Sequence, residues 1–150
     1  MSTTLIWTDG ACWPNPGRGG WGYVMQHRDG TVTEASGGSA QTTNNQMELT
    51  AVLEALRALP DGSVATIHSD SQYVVYGLTS WSKKWVRRGW IHQDGKPIPN
   101  TDLWKLLLDQ AQRVQATFVW VRGHAGDPGN ERADALASVG RFATLEEARA

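Results

Sequence analysis

The spacing of apolar residues changes period at Asn44, and that change decides what the chain can build. Before it, TLIWTDG, GWGYVMQH and TVTEASG are short β-prone runs parted by glycine-rich segments and by the Arg28-Asp29-Gly30 break, which predicts a three-stranded antiparallel meander. After it, Leu49, Val52, Leu53, Leu56 and Leu59 follow i, i+3, i+4, i+7 spacing until Pro60-Asp61-Gly62 ends the run, which predicts an amphipathic helix. VATIHSD then reads as a strand and Ser71 onward as a short helix ending near Gly77. A helix capped around Asn100 or Thr101 turns Leu103, Trp104, Leu107, Leu108 and Ala111 inward. QATFVWVRG is the last strand, and NERADALASVG a helix with Asn130 as N-cap and Gly140 as stop. Strands first, then strands alternating with helices, imply an α/β (α+β) arrangement: a mixed sheet, its later members parallel, with helices on its faces.

The chain has 150 residues, 40% of them hydrophobic and 19% charged, which suits one compact domain with a real core and excludes a disordered or fibrous chain. Neither repeats nor a linker interrupt it. We expect a domain over residues 1–140 and a tail over 141–150 with little to bury. The single cysteine, Cys12, has no partner for an internal disulfide, and MSTTLIWTDG has neither a basic nor a long apolar leader segment, so a cytoplasmic address is expected. No stretch approaches the roughly 20 apolar residues that span a bilayer. Nothing demands a protein partner, and a monomer is expected.

Four acids stand where stability alone explains them poorly. Asp9 ends the first strand and Asp70 the fourth, and ligands of open α/β sheets gather at such strand ends near a topological switch point. Glu48 lies in the first turn of the Asn44 helix at the edge of its apolar stripe, and Asp134 sits beside the buried face of the last helix. Each also has a plain structural explanation. Asp9-Gly10 suits a turn, Asp70-Ser71 an N-cap, Glu48 a capping box with Asn45, and Asp134 a solvated helix surface. If the four converge, their mutual repulsion calls for a cation, and an all-oxygen ligand set suits Mg²⁺ or Mn²⁺ rather than zinc. Zinc also lacks ligands, because the four histidines (His27, His68, His92 and His124) form no paired motif with each other or with Cys12. His124 differs from the others in occupying the loop GHAGDPGNE, just before the Asp134 helix, where an imidazole can carry protons; as a loop residue it equally needs no task.

Net charge is −1, from 14 basic and 15 acidic residues, yet WSKKWVRRGW gathers four cations and three tryptophans within ten positions. On a helix, Lys84, Arg87 and Arg88 share one face and Trp81 with Trp85 another. Such a face is either solvated above a tryptophan contact or turned toward a nucleic-acid backbone.

TDGACWPNPGRGGWG, TTNNQMELTAVLEAL, SDSQYV, WSKKWVRRGW followed by NTDLW, and WVRGHAGDPGNERAD together resemble the type 1 ribonuclease H pattern, most like the bacterial ribonuclease HI branch, over about residues 5–137. The resemblance implies a ribonuclease H-like five-stranded mixed sheet, three strands antiparallel and then two parallel, with helices on both faces. It implies endonucleolytic hydrolysis of the RNA strand of an RNA/DNA hybrid, giving 5′-phosphate and 3′-hydroxyl ends with two Mg²⁺ ions, Mn²⁺ being the alternative. On the matching positions, the metal-binding carboxylates are Asp9, Glu48, Asp70 and Asp134, and the mobile-loop histidine is His124. Contacts to substrate phosphate and sugar fall on Cys12, Asn15, Thr43, Asn44, Asn45 and Gln72. A basic protrusion over about residues 81–99, with Trp81, Lys84, Trp85, Arg87 and Arg88, grips the duplex. Ala11, Pro14 and Ser69 depart from the residues usual at those places. No further N-terminal hybrid-binding domain is expected. Two readings compete with this one: a hybrid-binding domain of the same fold that does not cut, and a DNA-acting nuclease or integrase of the wider superfamily.

Overall fold

In the computed structural model, which describes residues 3–149, the meander is present as β1 (Thr3–Cys12), β2 (Gly17–Gln26) and β3 (Val32–Thr42), each antiparallel to the next. The strands β4 (Val64–Ser69) and β5 (Gln115–Trp120) add in parallel on the free side of β1, giving the order β3-β2-β1-β4-β5. Positions 1, 2 and 150 of the expected domain and tail lie outside the described residues.

Alternation along β1 sorts its side chains between two layers. Ile6 joins Ile67 of β4 in a core closed by α1 (Asn44–Arg57), whose Leu49, Val52 and Leu56 are fully buried, and by Trp104 and Leu107 of α4 (Thr101–Arg113). On the opposite side Trp7 and Val24 pack under Ala133 and Leu136 of α5 (Pro128–Arg149). Burial at about 25 cal/mol per Å² makes the larger layer the main source of stability. It holds β1 and β4 as a rigid base.

Three helix boundaries differ from the sequence expectation. The helix begun by α2 (Gln72–Tyr76) does not end at Gly77 but continues through a π-turn, Gly77–Trp81, into α3 (Ser82–Arg87). Gly77 is required for packing: a Cβ there would lie 2.1 Å from the ring of Trp104. Likewise α5 runs past Gly140 to Arg149, because Gly140 seats the helix on the sheet, where an added Cβ would meet the Gly37 carbonyl oxygen at 1.9 Å. At the other end of α5, the N–H groups of Gly129 and Asn130 donate to the Asp127 carboxylate at 3.0 and 3.3 Å. Asp127, not Asn130, therefore caps the helix, and Asn130 is carried inside it.

Among the described residues no helix is long and apolar enough to cross a membrane.

Candidate functional site

The parallel pairing of β1 with β4 sets Thr8 opposite Ser69, so the next residue of each strand, Asp9 and Asp70, emerges side by side at the carboxyl edge of the sheet. Glu48 reaches the same point from α1. It lies one residue beyond the helix's first turn, and the capping box with Asn45 is not formed. Thr43 is the N-cap and accepts from the Gln46 N–H at 3.1 Å. Nor is Asp9-Gly10 a turn, since Gly10 is inside β1. A Cβ on Gly10 would come within 2.3 Å of the backbone of Met47 and Glu48, so the glycine is what lets α1 close onto the strand. The Gly10 N–H then donates to Asp9 Oδ1 at 3.0 Å and to Glu48 Oε1, aiming both carboxylates at one place.

Oxygen atoms of Asp9, Glu48 and Asp70 lie within 4.8 Å of one another. Asp9 is 7% exposed and Glu48 5%, so water screens their repulsion poorly. Burial first, and then the charges of Asp70 and Asp134, push Asp9 up from 3.8 to about 7, with the hydrogen bond to Glu48 working in the opposite direction. Glu48 is held well above its ordinary range by burial and by Asp9. Near neutral pH the pair therefore tends to retain a proton unless a cation replaces it. Asp134, half-buried on α5, stands outside the three-carboxylate group and acts on it as a neighbour of Asp9.

Two residues for which the sequence suggested no part in the site steady Asp70. Asn130, 2% exposed, donates through Nδ2 to Asp70 Oδ2 at 3.3 Å, and Trp120 donates through Nε1 to the Asp70 carbonyl oxygen at 3.1 Å. A signal for Asn130 was present, because it precedes Asp134 by one helical turn and so shares its face. The His124 loop adjoins the cluster as well. A Cβ on Gly123 would lie 2.7 Å from Asp70 Oδ2, and His124 itself is exposed with a left-handed φ of 54°.

The expected substrate contacts divide into two groups. Asn15, in the loop after β1, accepts through Oδ1 from the Asn44 N–H at 3.1 Å beside the N-cap Thr43, while Cys12 at the end of β1 donates through Sγ to the Thr42 carbonyl oxygen at 3.4 Å. Gln72 opens α2, and the exposed Asn45 lies across a pocket of about 420 Å³ from Tyr73, Trp81 and Trp85. The basic segment is helical over Ser82–Arg87, but its faces differ from those expected of it on a helix. Trp81, Lys84, Trp85 and Arg88 line one groove of about 570 Å³ together, whereas Arg87 turns with Lys83 toward Leu108 and Gln112. Positions 81, 84, 85 and 88 are themselves an i, i+3, i+4, i+7 set, so cations and indoles share a face.

Comparison with known proteins agrees with this geometry. The profile of the family described as RNase H matches residues 1–142. A protein of Bordetella pertussis called Ribonuclease H is 57% identical over 135 residues, covering 90% of this chain and 86% of its own. Among solved structures, LC9-RNase H1, a type 1 RNase H with the type 2 active-site motif, superposes with a TM-score of 0.86 at 28% identity, over 96% of this chain and 74% of that one. The fold also matches LC11-RNase H1 in complex with RNA/DNA hybrid, with a TM-score of 0.68 at 23% identity, over 95% of this chain and 99% of that one.

Proposed function

The chain belongs to the RNase H family, and on that premise we propose that it is an endoribonuclease hydrolysing the RNA strand of RNA/DNA hybrids, with 5′-phosphate and 3′-hydroxyl products. The observation that carries the reading is the convergence of Asp9, Glu48 and Asp70, with Asp134 beside Asp9, at one strand edge.

An all-oxygen donor set whose buried members resist ionisation fits hard divalent cations, and two Mg²⁺ ions would be held by Asp9, Glu48, Asp70 and Asp134, with Mn²⁺ as the alternative. When bound, such ions supply charge neutralisation at the phosphate and a water ionised at neutral pH. The protein's own groups do the rest. The Gly10 N–H orients Asp9 and Glu48, and Asn130 with Trp120 fixes Asp70, so the carboxylates are preorganised. His124, exposed on its loop, is suited to carry protons at the mouth of the site or to help product leave.

Strand choice requires reading the 2′-hydroxyl, which is both donor and acceptor. The exposed amides of Asn15, Asn44, Asn45 and Gln72 are suited to that, and Cys12 and Thr43 shape the same loop junction. The groove between Trp81, Lys84, Trp85 and Arg88 offers indole faces and cations for the duplex backbone, with Arg87 supplying field from the adjoining face. We place the enzyme in the cytoplasm as a monomer.

The test is to incubate labelled RNA/DNA hybrid, RNA duplex and DNA duplex with Mg²⁺ and then with EDTA. Cleavage confined to the hybrid's RNA strand and stopped by EDTA is expected. Binding without cleavage would instead make this a hybrid-binding module, and cleavage of the DNA duplex would move it to another branch of the superfamily.

A further inference from the structure

The loop after β1 follows Cys12 and carries Asn15, and it is held by the part of α5 just past Gly140, a segment for which the sequence suggested no task. Arg141, one residue beyond the stop expected at Gly140, donates from both Nε, at 3.0 Å, and Nη2 to the carbonyl oxygen of Trp13. Its guanidinium also lies 5.7 Å from the ring centroid of Trp13 and 5.7 Å from that of Phe142. Among the described residues Arg141 has no carboxylate partner. Two of its five N–H donors go to the loop.

Reach is secured by the glycines beneath. An added Cβ on Gly20 would come within 2.4 Å of the Arg141 backbone nitrogen, and one on Gly38 within 2.4 Å of the Gly140 carbonyl oxygen. The stretch of α5 around Gly140 and Arg141 therefore rests directly on β2 and β3, close to the loop that joins β1 to β2. Arg18, the second residue of β2, donates through Nη1 to the Thr144 carbonyl oxygen at 3.2 Å and returns the tie.

The loop is thus gripped from three sides. The Trp13 N–H donates to the Arg18 carbonyl oxygen at 3.0 Å, Arg141 takes the Trp13 carbonyl, and Asn15 Oδ1 accepts from the Asn44 N–H. Only the Arg141 contact is charge-assisted and two-pronged, which makes it the strongest of the three. Trp13 is 73% exposed, so burial of its side chain does little to hold the loop.

We propose that Arg141 is a positioning residue for substrate binding: from within α5 it fixes the Trp13 carbonyl and so holds Cys12 and Asn15 in register with Asn44. The inference rests on the hybrid-nuclease reading and adds to it a residue that touches neither metal site nor substrate. Removal of a charge-assisted hydrogen bond of this kind should raise KM by about five- to tenfold while kcat stays within about twofold.

The experiment compares wild type with Arg141→Ala and Arg141→Lys. Lysine keeps the charge but not the fork. Positioning predicts that both variants raise KM alike, with the slope of log KM against log salt unchanged. It also predicts faster exchange of the Asn44 amide hydrogen while Leu49 and Val52 in mid-α1 exchange as before. Three results would overturn it: KM unchanged in Arg141→Ala with only a lower Tm; wild-type KM in Arg141→Lys with a salt slope reduced in Arg141→Ala, which marks a direct phosphate contact; or Asn44 exchange unaltered. If the wild-type chain leaves the hybrid uncut, the functional reading falls by itself, and the Asn44 exchange still decides whether the clamp exists.

Discussion

Replacing Asp9 by Asn should make the metal-free protein more stable while ending its activity. Asn retains the shape, accepts from the Gly10 N–H as Asp9 Oδ1 does, and can donate toward Glu48 as a protonated Asp9 would. What it removes is a charge whose folded-state pKa is about 7 against 3.8 for the unanchored group. A displacement of that size corresponds to a penalty of about 4 kcal/mol when Asp9 is ionised in the folded state, a ceiling because Glu48 shares the strain. The sign follows from linkage. Between pH 3.8 and about 7 the folded protein binds a proton at Asp9 that the unfolded chain releases, so stability falls as pH rises through that window and the full penalty is present above it. Urea unfolding in EDTA should therefore show Asp9→Asn more stable than wild type by about 2–4 kcal/mol at pH 8, with the difference shrinking toward zero near pH 4. Mg²⁺ should then stabilise wild type at pH 8 by mass action and leave the variant almost unchanged. A variant no more stable than wild type at pH 8, or an advantage undiminished at pH 4, would refute the account of a strained, cation-seeking cluster.

Further substitutions separate the other parts of the site. Asp70→Asn should abolish cleavage while hybrid binding remains measurable by filter or anisotropy assay. Asn130→Ala leaves Asp70 without its buried donor and should weaken Mg²⁺ activation by about tenfold, read as a higher metal concentration for half-maximal rate. His124→Ala should slow turnover without abolishing it, a kcat effect with KM little changed. Lys84→Ala with Arg88→Ala should raise KM and flatten the salt dependence by about 0.9 for each phosphate no longer neutralised, and Lys83→Ala with Arg87→Ala, on the other face, should do less. Gly140→Ala should destabilise the protein by about 1–3 kcal/mol in urea unfolding, since its Cβ meets the Gly37 carbonyl.

The sheet was legible because strand and helix periods differ and because parallel strands demand crossovers, so the meeting of Asp9 with Asp70 followed once β1 and β4 were neighbours. Glycine was the weak point. The same residue type marks a turn when it supplies backbone freedom and a contact when it supplies missing volume, and a single sequence does not distinguish the two. Gly10, Gly77 and Gly140 all belong to the second class, and each places a functional element: Gly10 brings Glu48 to Asp9, Gly77 lets the helix run on into the basic face, and Gly140 carries Arg141 to the Trp13 loop. Asn130 was misplaced for a related reason, since Asp127 takes the free N–H groups of α5 and releases Asn130 to face Asp70 from inside the helix. The basic stretch erred through choice of stripe, because positions 84, 87 and 88 and positions 81, 84, 85 and 88 both satisfy helical spacing and only the packing of Trp85 against Trp104 selects the second. In each case residue type identified a part of the chemistry, and its direction was set by a contact with an element distant in sequence. A site assembled from strand ends and helix faces is therefore readable first in its acids, whose function needs only convergence, and last in the residues that aim them.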